Sequence, residues 1–218
     1  MKRECLEIVR NKCENCKACA LGETRTNMVF SDGNPMSAKI VLIGEAPGEM
    51  EDECGRPFVG RAGQLLNNFL SEAGISRDED LYIINTVKCR PPENRVPTDE
   101  EKCACRKFLE AQIDIINPRA IVLCGATALK SFVATDKKTT ISKLRGQWMN
   151  ITVDGKEYPA MTIFHPSYLL RNHSMEEGSP RRLMQQDLSE IKSRYLADVN
   201  HSSDVMFSAV SEKEMMTV

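Results

Sequence analysis

No stretch of this chain stays apolar for long enough to read as a membrane span. It also opens with no charged segment followed by a short apolar run and a small-residue cleavage site, so the expected compartment is the cytoplasm. An excess of charge of one sign is missing too. With 29 Lys and Arg against 31 Asp and Glu, the formal charge is -2 and the pI is near 6.0. That total does not announce a polyanion as ligand, although a local basic face stays open, because phosphates respond to the distribution of charge. No internal repeat is visible, which sets repeat architectures aside. There are only three histidines. Away from the N-terminus there is no second C-x-x-C pair, which argues against a zinc ribbon.

The 218 residues suffice for one domain with a sizeable core. We expect that domain to span residues 1–197. Residues 198–218 are polar with scattered methionines and are expected to be a disordered tail.

The chain is organised around Gly44 to Gly63, GEAPGEMEDECGRPFVGRAG. The apolar run Lys39 to Ile43 before it reads as a buried strand, and Gln64 to Leu70 after it has helical spacing. The loop therefore sits at the carboxyl end of a strand, where open α/β sheets bind ligands. Its glycines allow close backbone approach. Its carboxylates Glu45, Glu49, Glu51, Asp52 and Glu53 are wrong for cradling phosphates, since a P-loop would carry Lys and Ser/Thr. They suit holding a water, stabilising a cation or reading a donor edge.

Further strands are predicted at 81–87, 119–125 and 161–164, and helices at 1–12, 64–73, 99–116, 126–133 and 183–196. Thr98 and Glu101 form a capping-box pattern for the 99–116 helix. The prolines of Lys88 to Pro97 predict an extended loop. Residues 135–159 read as irregular, with a hairpin turn at Asp154-Gly155. Strands alternating with helices predict an α/β fold, a three-layer αβα sandwich around a mainly parallel sheet. Three carboxyl-end loops then converge: the one after 39–44, Asn85 to Arg95, and His165 to Arg171.

Nine cysteines are many for a reducing compartment, where disulfides are rare and clustered thiols suggest a metal. Cys13, Cys16 and Cys19 form two overlapping C-x-x-C pairs, with distant partners at Cys89 and at Cys103 or Cys105. Two close thiols and two dispersed ones fit an iron–sulfur cluster better than zinc. Spacing leaves open Cys13/Cys16 against Cys16/Cys19, and Cys103 against Cys105. Cys5, Cys54 and Cys124 read as bystanders, the last as core.

Three stretches, GEAPGEMEDECGRPFVGRAGQLL, NTVKCRPPENRVP and HPSYLLR, together resemble the family 4 uracil-DNA glycosylases, the iron–sulfur type of bacteria and archaea. The resemblance runs from about Cys16 to Tyr195. It implies a central four-stranded parallel sheet, a [4Fe–4S] cluster, and excision of uracil from uracil-containing DNA by a monomer, with no metal in the chemistry. It places the cluster ligands on Cys16, Cys19, Cys89 and Cys105.

The resemblance further implies that Phe58 stacks on uracil. The Asn85 amide can donate to O4 and accept from N3–H of uracil, a pattern that cytosine reverses. His165 is placed to donate to O2 of the uracil anion as charge develops there. Glu51 is placed to exclude the thymine methyl group. Better-known uracil glycosylases have Gln-Asp where this chain has Glu45-Ala46, so the usual aspartate is missing and Glu45 is the candidate for positioning water or stabilising the sugar cation. Leu169 matches the position of a wedge into the base stack, with Leu170 as the other candidate. Arg171, Arg181 and Arg182, and also Lys88, Arg90 and Arg95, are candidates for phosphate contacts. Two other readings fit the sequence: a weakly catalytic iron–sulfur nucleic-acid-binding module, for which Ala46 argues, and a glycosylase for another deaminated base such as hypoxanthine.

Overall fold

The computed structural model describes residues 1–134 and 140–197, so the expected tail at 198–218 lies outside the described residues. Helices α1 (Lys2–Glu14) and α2 (Leu21–Thr24) precede the two-residue strand β1 (Asp32–Gly33). Strand β2 (Ile40–Gly44) leads through α3 (Glu49–Cys54) into α4 (Arg61–Glu72). After β3 (Leu81–Asn85), a short 3-10 turn at Pro92–Asn94 precedes α5 (Asp99–Ile116). Strand β4 (Ala120–Cys124) is followed by α6 (Ala126–Lys130) and α7 (Ile141–Leu144). Strands β5 (Trp148–Val153) and β6 (Lys156–Ile163) form a hairpin, followed by α8 (Pro166–Leu169) and α9 (Pro180–Ile191).

The strands form one six-stranded sheet in the order β1-β3-β2-β4-β6-β5. The inner four, β3-β2-β4-β6, run parallel, which matches the expected four-stranded core. The antiparallel strands β1 and β5 extend it at the two edges. Every residue of β2, β3 and β4 is buried, because helices cover both faces of a parallel sheet. Successive residues alternate between the layers. Val41, Ile43, Ile121 and Leu123 pack with Leu109 and Ile113 of α5. Ile40, Leu42, Val122 and Cys124 pack with Leu66 and Leu70 of α4 and with Leu188 and Ile191 of α9.

Local signals explain most boundaries. The Thr98–Glu101 capping box is complete, with the Glu101 amide donating to the Thr98 hydroxyl oxygen and the Thr98 amide to the Glu101 carboxylate. Two expectations need correction. The acidic stretch after Gly48 is helical, because Glu49, Glu51 and Asp52 in the first turn of α3 favour its positive end. Residues 148–159 are paired, not irregular. Asp154 (φ 46°) and Gly155 (φ 77°) form the two-residue turn that a right-handed hairpin requires, with Val153 opposite Lys156. The first five residues of the segment read as irregular, 135–139, lie outside the described residues. Among the described residues, no helix is long and apolar enough to cross a membrane.

Candidate active site

The loops after β2, β3 and β6 meet over the carboxyl edge of the sheet. Between β2 and β6 lies β4, which is followed by Gly125-Ala126-Thr127. Gly125 has φ +98°, and a Cβ there would approach the His165 Cβ to 3.0 Å. On the other side Gly44 is in register with Asn85. A Cβ on Gly44 would lie 2.4 Å from Asn85 Oδ1 and 2.6 Å from the Phe58 ring. The backbone thus gives way where three side chains must converge.

The result is a cavity of about 340 Å³ lined by Glu45, Ala46, Glu51, Phe58, Asn85 and His165, among others. All six residues expected at the base-binding and catalytic site face this one space. A larger, more open depression of about 520 Å³ lies beside α1 and β1. Its mixed lining of Arg3, Glu7, Arg10, Asp32, Asp78 and Glu79 holds none of the converging groups.

Each wall is held in place. Phe58 has φ +53°, a costly conformation for an aromatic residue. The Glu51 carboxylate fixes it by accepting the amides of Val59 (2.9 Å) and Gly60 (2.8 Å) through Oε1. Arg77 adds donations to the carbonyls of Pro57 (2.6 Å) and Phe58 (3.2 Å). The Phe58 and His165 rings lie 5.9 Å apart, centroid to centroid. Asn85 is 2 % exposed, and Lys88 Nζ donates to its carbonyl oxygen at 2.8 Å.

His165 caps α8. Its Nδ1 accepts from the Ser167 amide at 3.2 Å and lies 2.7 Å from the Ser167 hydroxyl. An Nδ1 that accepts from an amide carries no proton, so the proton of the neutral ring sits on Nε2. Burial lowers the His165 pKa, while the charges of Glu45 and Glu51 oppose the shift. Glu45 Oε2 accepts a hydrogen bond from the Thr127 hydroxyl. Sequence reasoning missed both Thr127 and Ser167, because each acts through another side chain. Ser167 lay inside a motif already singled out, whereas Thr127 carried no signal.

The expected phosphate and wedge residues divide. Arg171 and Arg182 are exposed. Arg181 is part-buried and braces the loop, donating to the Leu169 carbonyl at 3.2 Å and meeting His173 Nδ1 at 3.0 Å. Leu169 is 0 % exposed and packs in the core beneath α4 and α9, so it presents no side chain to a ligand. Its neighbour Tyr168 is 47 % exposed. Lys88 also fails as a phosphate contact, because it is wholly buried.

A second cavity is much smaller. Cys16, Cys19, Cys89 and Cys105 line it, together with Cys13 and Lys88. Cys103 faces elsewhere, toward Lys102, Arg106 and Lys130, which removes it as an alternative to Cys105. Among the described residues, no three Cys, His, Asp or Glu side chains are placed to close on a single metal ion. A four-iron cluster binds one thiolate per iron, so its ligands surround a volume rather than a point. The donor set fits such a group. Cys89 Sγ accepts from Arg25 Nη1 at 3.1 Å. Burial pushes the Cys105 thiol up to about 11 and the Cys13 thiol up to about 12, opposed in both cases by Lys88. Thiolates here need a cation, which a metal centre supplies.

Residues 30–189 match the family model described as the uracil DNA glycosylase superfamily. A type-4 uracil-DNA glycosylase of Thermotoga maritima is 52% identical over 192 residues, covering 88% of this chain and 95% of that protein. A type-4 enzyme of Archaeoglobus fulgidus is 41% identical, covering 80% of this chain and 87% of its own. One from Sulfurisphaera tokodaii is 37% identical, over 91% of this chain and 89% of its own.

Proposed function

The chain belongs to the uracil-DNA glycosylase superfamily, and from that premise we propose that it is a DNA-repair hydrolase that excises uracil from DNA and leaves an abasic site. The observation that carries this reading is the meeting of Phe58, Asn85, His165 and Glu45 in one cavity at the sheet edge.

The bond to be broken, between uracil N1 and the deoxyribose C1′, is hidden in a duplex, so the nucleotide is flipped into the cavity. There the Phe58 face stacks on the base. The fixed Asn85 amide donates to O4 and accepts from N3–H. A cytosine in the same place leaves both groups unpaired. The wall at Glu51 excludes the thymine methyl group.

As the bond lengthens, negative charge collects on the uracil ring and positive charge on the sugar. The Nε2–H of neutral His165 donates to O2 and stabilises the first of these. Donors fixed before the reaction cost no reorganisation during it, and the contacts from Ser167 hold the ring in that tautomer. Glu45 serves the sugar. With one carboxylate oxygen held by Thr127, the other is free to orient a water toward C1′ and to offset the cationic charge. A sugar already close to a cation needs little general-base help, which makes Ala46 tolerable at the adjacent position.

The exposed Arg171 and Arg182 supply phosphate contacts, and the exposed Tyr168 ring takes the place in the opened base stack that Leu169 cannot reach. Cys16, Cys19, Cys89 and Cys105 would hold a [4Fe–4S] cluster. When bound, that cluster ties the Cys16–Cys19 segment to Cys89 and Cys105 and so braces the loop below Asn85.

The test is single-turnover cleavage of a labelled oligonucleotide carrying U or T at one site, followed by alkali. Alkali-labile product from U and none from T is the expected result. No product despite measurable DNA binding would refute it.

A further inference from the structure

Lys88 is 0 % exposed, yet it is a cation and its side chain makes one hydrogen bond, to the Asn85 carbonyl oxygen at 2.8 Å. An ammonium carries three N–H donors. The ionisable groups that share its cavity are the thiols of Cys13, Cys16, Cys19, Cys89 and Cys105. Burying a cation without a counter-charge and without acceptors is strongly unfavourable. Among the described residues, no carboxylate lines that cavity, and its ionisable partners are thiols.

We propose that Lys88 is a positioning residue that joins the thiol cavity to the base pocket: its free N–H groups donate to the sulfur anions of a cluster held by Cys16, Cys19, Cys89 and Cys105, while its remaining N–H fixes the Asn85 carbonyl. This rests on the cluster reading above. A cluster ligated by four thiolates is an anion, so it provides both the missing charge and the missing acceptors. Asn85 is the last residue of β3, and its amide lines the base pocket. A lysine three residues on reaches back to hold its carbonyl oxygen. Loss of the cluster would leave the lysine without sulfur partners and loosen the strand end that presents the amide.

Two measurements test this. The first compares anaerobically purified wild type with K88M by iron content, cluster potential and kinetics on uracil DNA. K88M is expected to keep its iron. Its potential should move to a more negative value, because removal of a nearby cation disfavours the more negative reduced cluster. Its kcat/KM should fall about tenfold, as for other outer-shell partners of a metal site. An iron-loaded K88M with unchanged potential and kinetics would overturn the proposal.

The second needs no variant, and it decides the matter if K88M fails to fold or to retain iron. Wild-type protein labelled with 15N at the lysine Nζ is reduced and studied by pulsed electron paramagnetic resonance. A weak 15N coupling to the cluster is expected. A cluster signal without it overturns this inference alone. Absence of any cluster signal, with no iron bound, overturns the cluster reading and this inference with it.

Discussion

Ser167 donates its backbone amide to Nδ1 of His165, and its hydroxyl lies 2.7 Å from the same nitrogen. A serine two residues away thereby fixes which ring nitrogen of His165 carries the proton. H165A should lower kcat about 100- to 1,000-fold, the loss seen when one donor to a developing anion is removed. S167A keeps the amide contact and should cost far less. Single-turnover rates on uracil DNA measure both.

The same burial sets a pH dependence. The folded-state pKa of His165 lies below its ordinary value near 6.5. The unfolded chain therefore binds a proton more readily than the folded one in that interval, and stability rises with pH through it. The contribution is complete above about 6.5 and is lost as pH falls toward the folded value. Urea titrations between pH 7 and pH 5 should show this loss in wild type and a shallower one in H165Q. Equal slopes would remove His165 as the cause.

G44A places a methyl group where Asn85 Oδ1 and the Phe58 ring already stand. One of them must move, and both line the cavity. Activity should fall by at least 100-fold, comparable with loss of a fixed donor, while circular dichroism stays native. Wild-type turnover in G44A would show that the pocket is looser than its geometry.

E51A removes the carboxylate that accepts from Val59 and Gly60 and holds Phe58 at positive φ. Hydrogen bonds to a charged group contribute about 1.5–3 kcal/mol, so Tm should drop by about 3–12 °C in a chain of this size. KM for uracil DNA should rise as the stacking surface loosens. Calorimetry and steady-state kinetics check the two effects separately.

Leu169 and Tyr168 are adjacent and should behave oppositely. L169A empties a filled core position and should cost about 2–5 kcal/mol. Tyr168 is half exposed, so Y168A should leave the denaturation midpoint in place and weaken uracil-DNA binding. If L169A were stable and defective only on DNA, the wedge would belong to Leu169 after all.

Cys103 and Cys105 are also neighbours with different surroundings. C105S should lose the brown chromophore and its iron on anaerobic purification, whereas C103S should keep both. The visible spectrum and iron content read this directly. Colour retained in C105S would take Cys105 out of the ligand set.

Much of the fold was legible locally. Apolar runs buried on both faces mark parallel strands, so Ile40 to Gly44, Leu81 to Asn85 and Ala120 to Cys124 declared themselves. The capping box at Thr98 fixed the start of α5. The strand pairing of 148–153 stayed hidden, because edge strands are exposed on one side and their pattern is weak. The candidate site was legible where residue type and position in a motif sufficed, as for Asn85, Phe58 and His165.

The rest depended on contacts that sequence does not encode by spacing. Thr127 holds Glu45 from 82 positions away, and Arg25 reaches Cys89 across 64. Leu169 and Leu170 look alike in HPSYLLR, yet burial separates them, because α8 turns one into the core and the other toward its edge. Lys88 reads as a surface cation in a basic loop, and only packing shows that the chain closes over it. The sequence by itself determined which chemical groups are present and that strand ends bring them to one edge. The tertiary structure decided which of them face the cavity, which brace it and which are buried, because burial and hydrogen bonding depend on distances through space that no local pattern specifies.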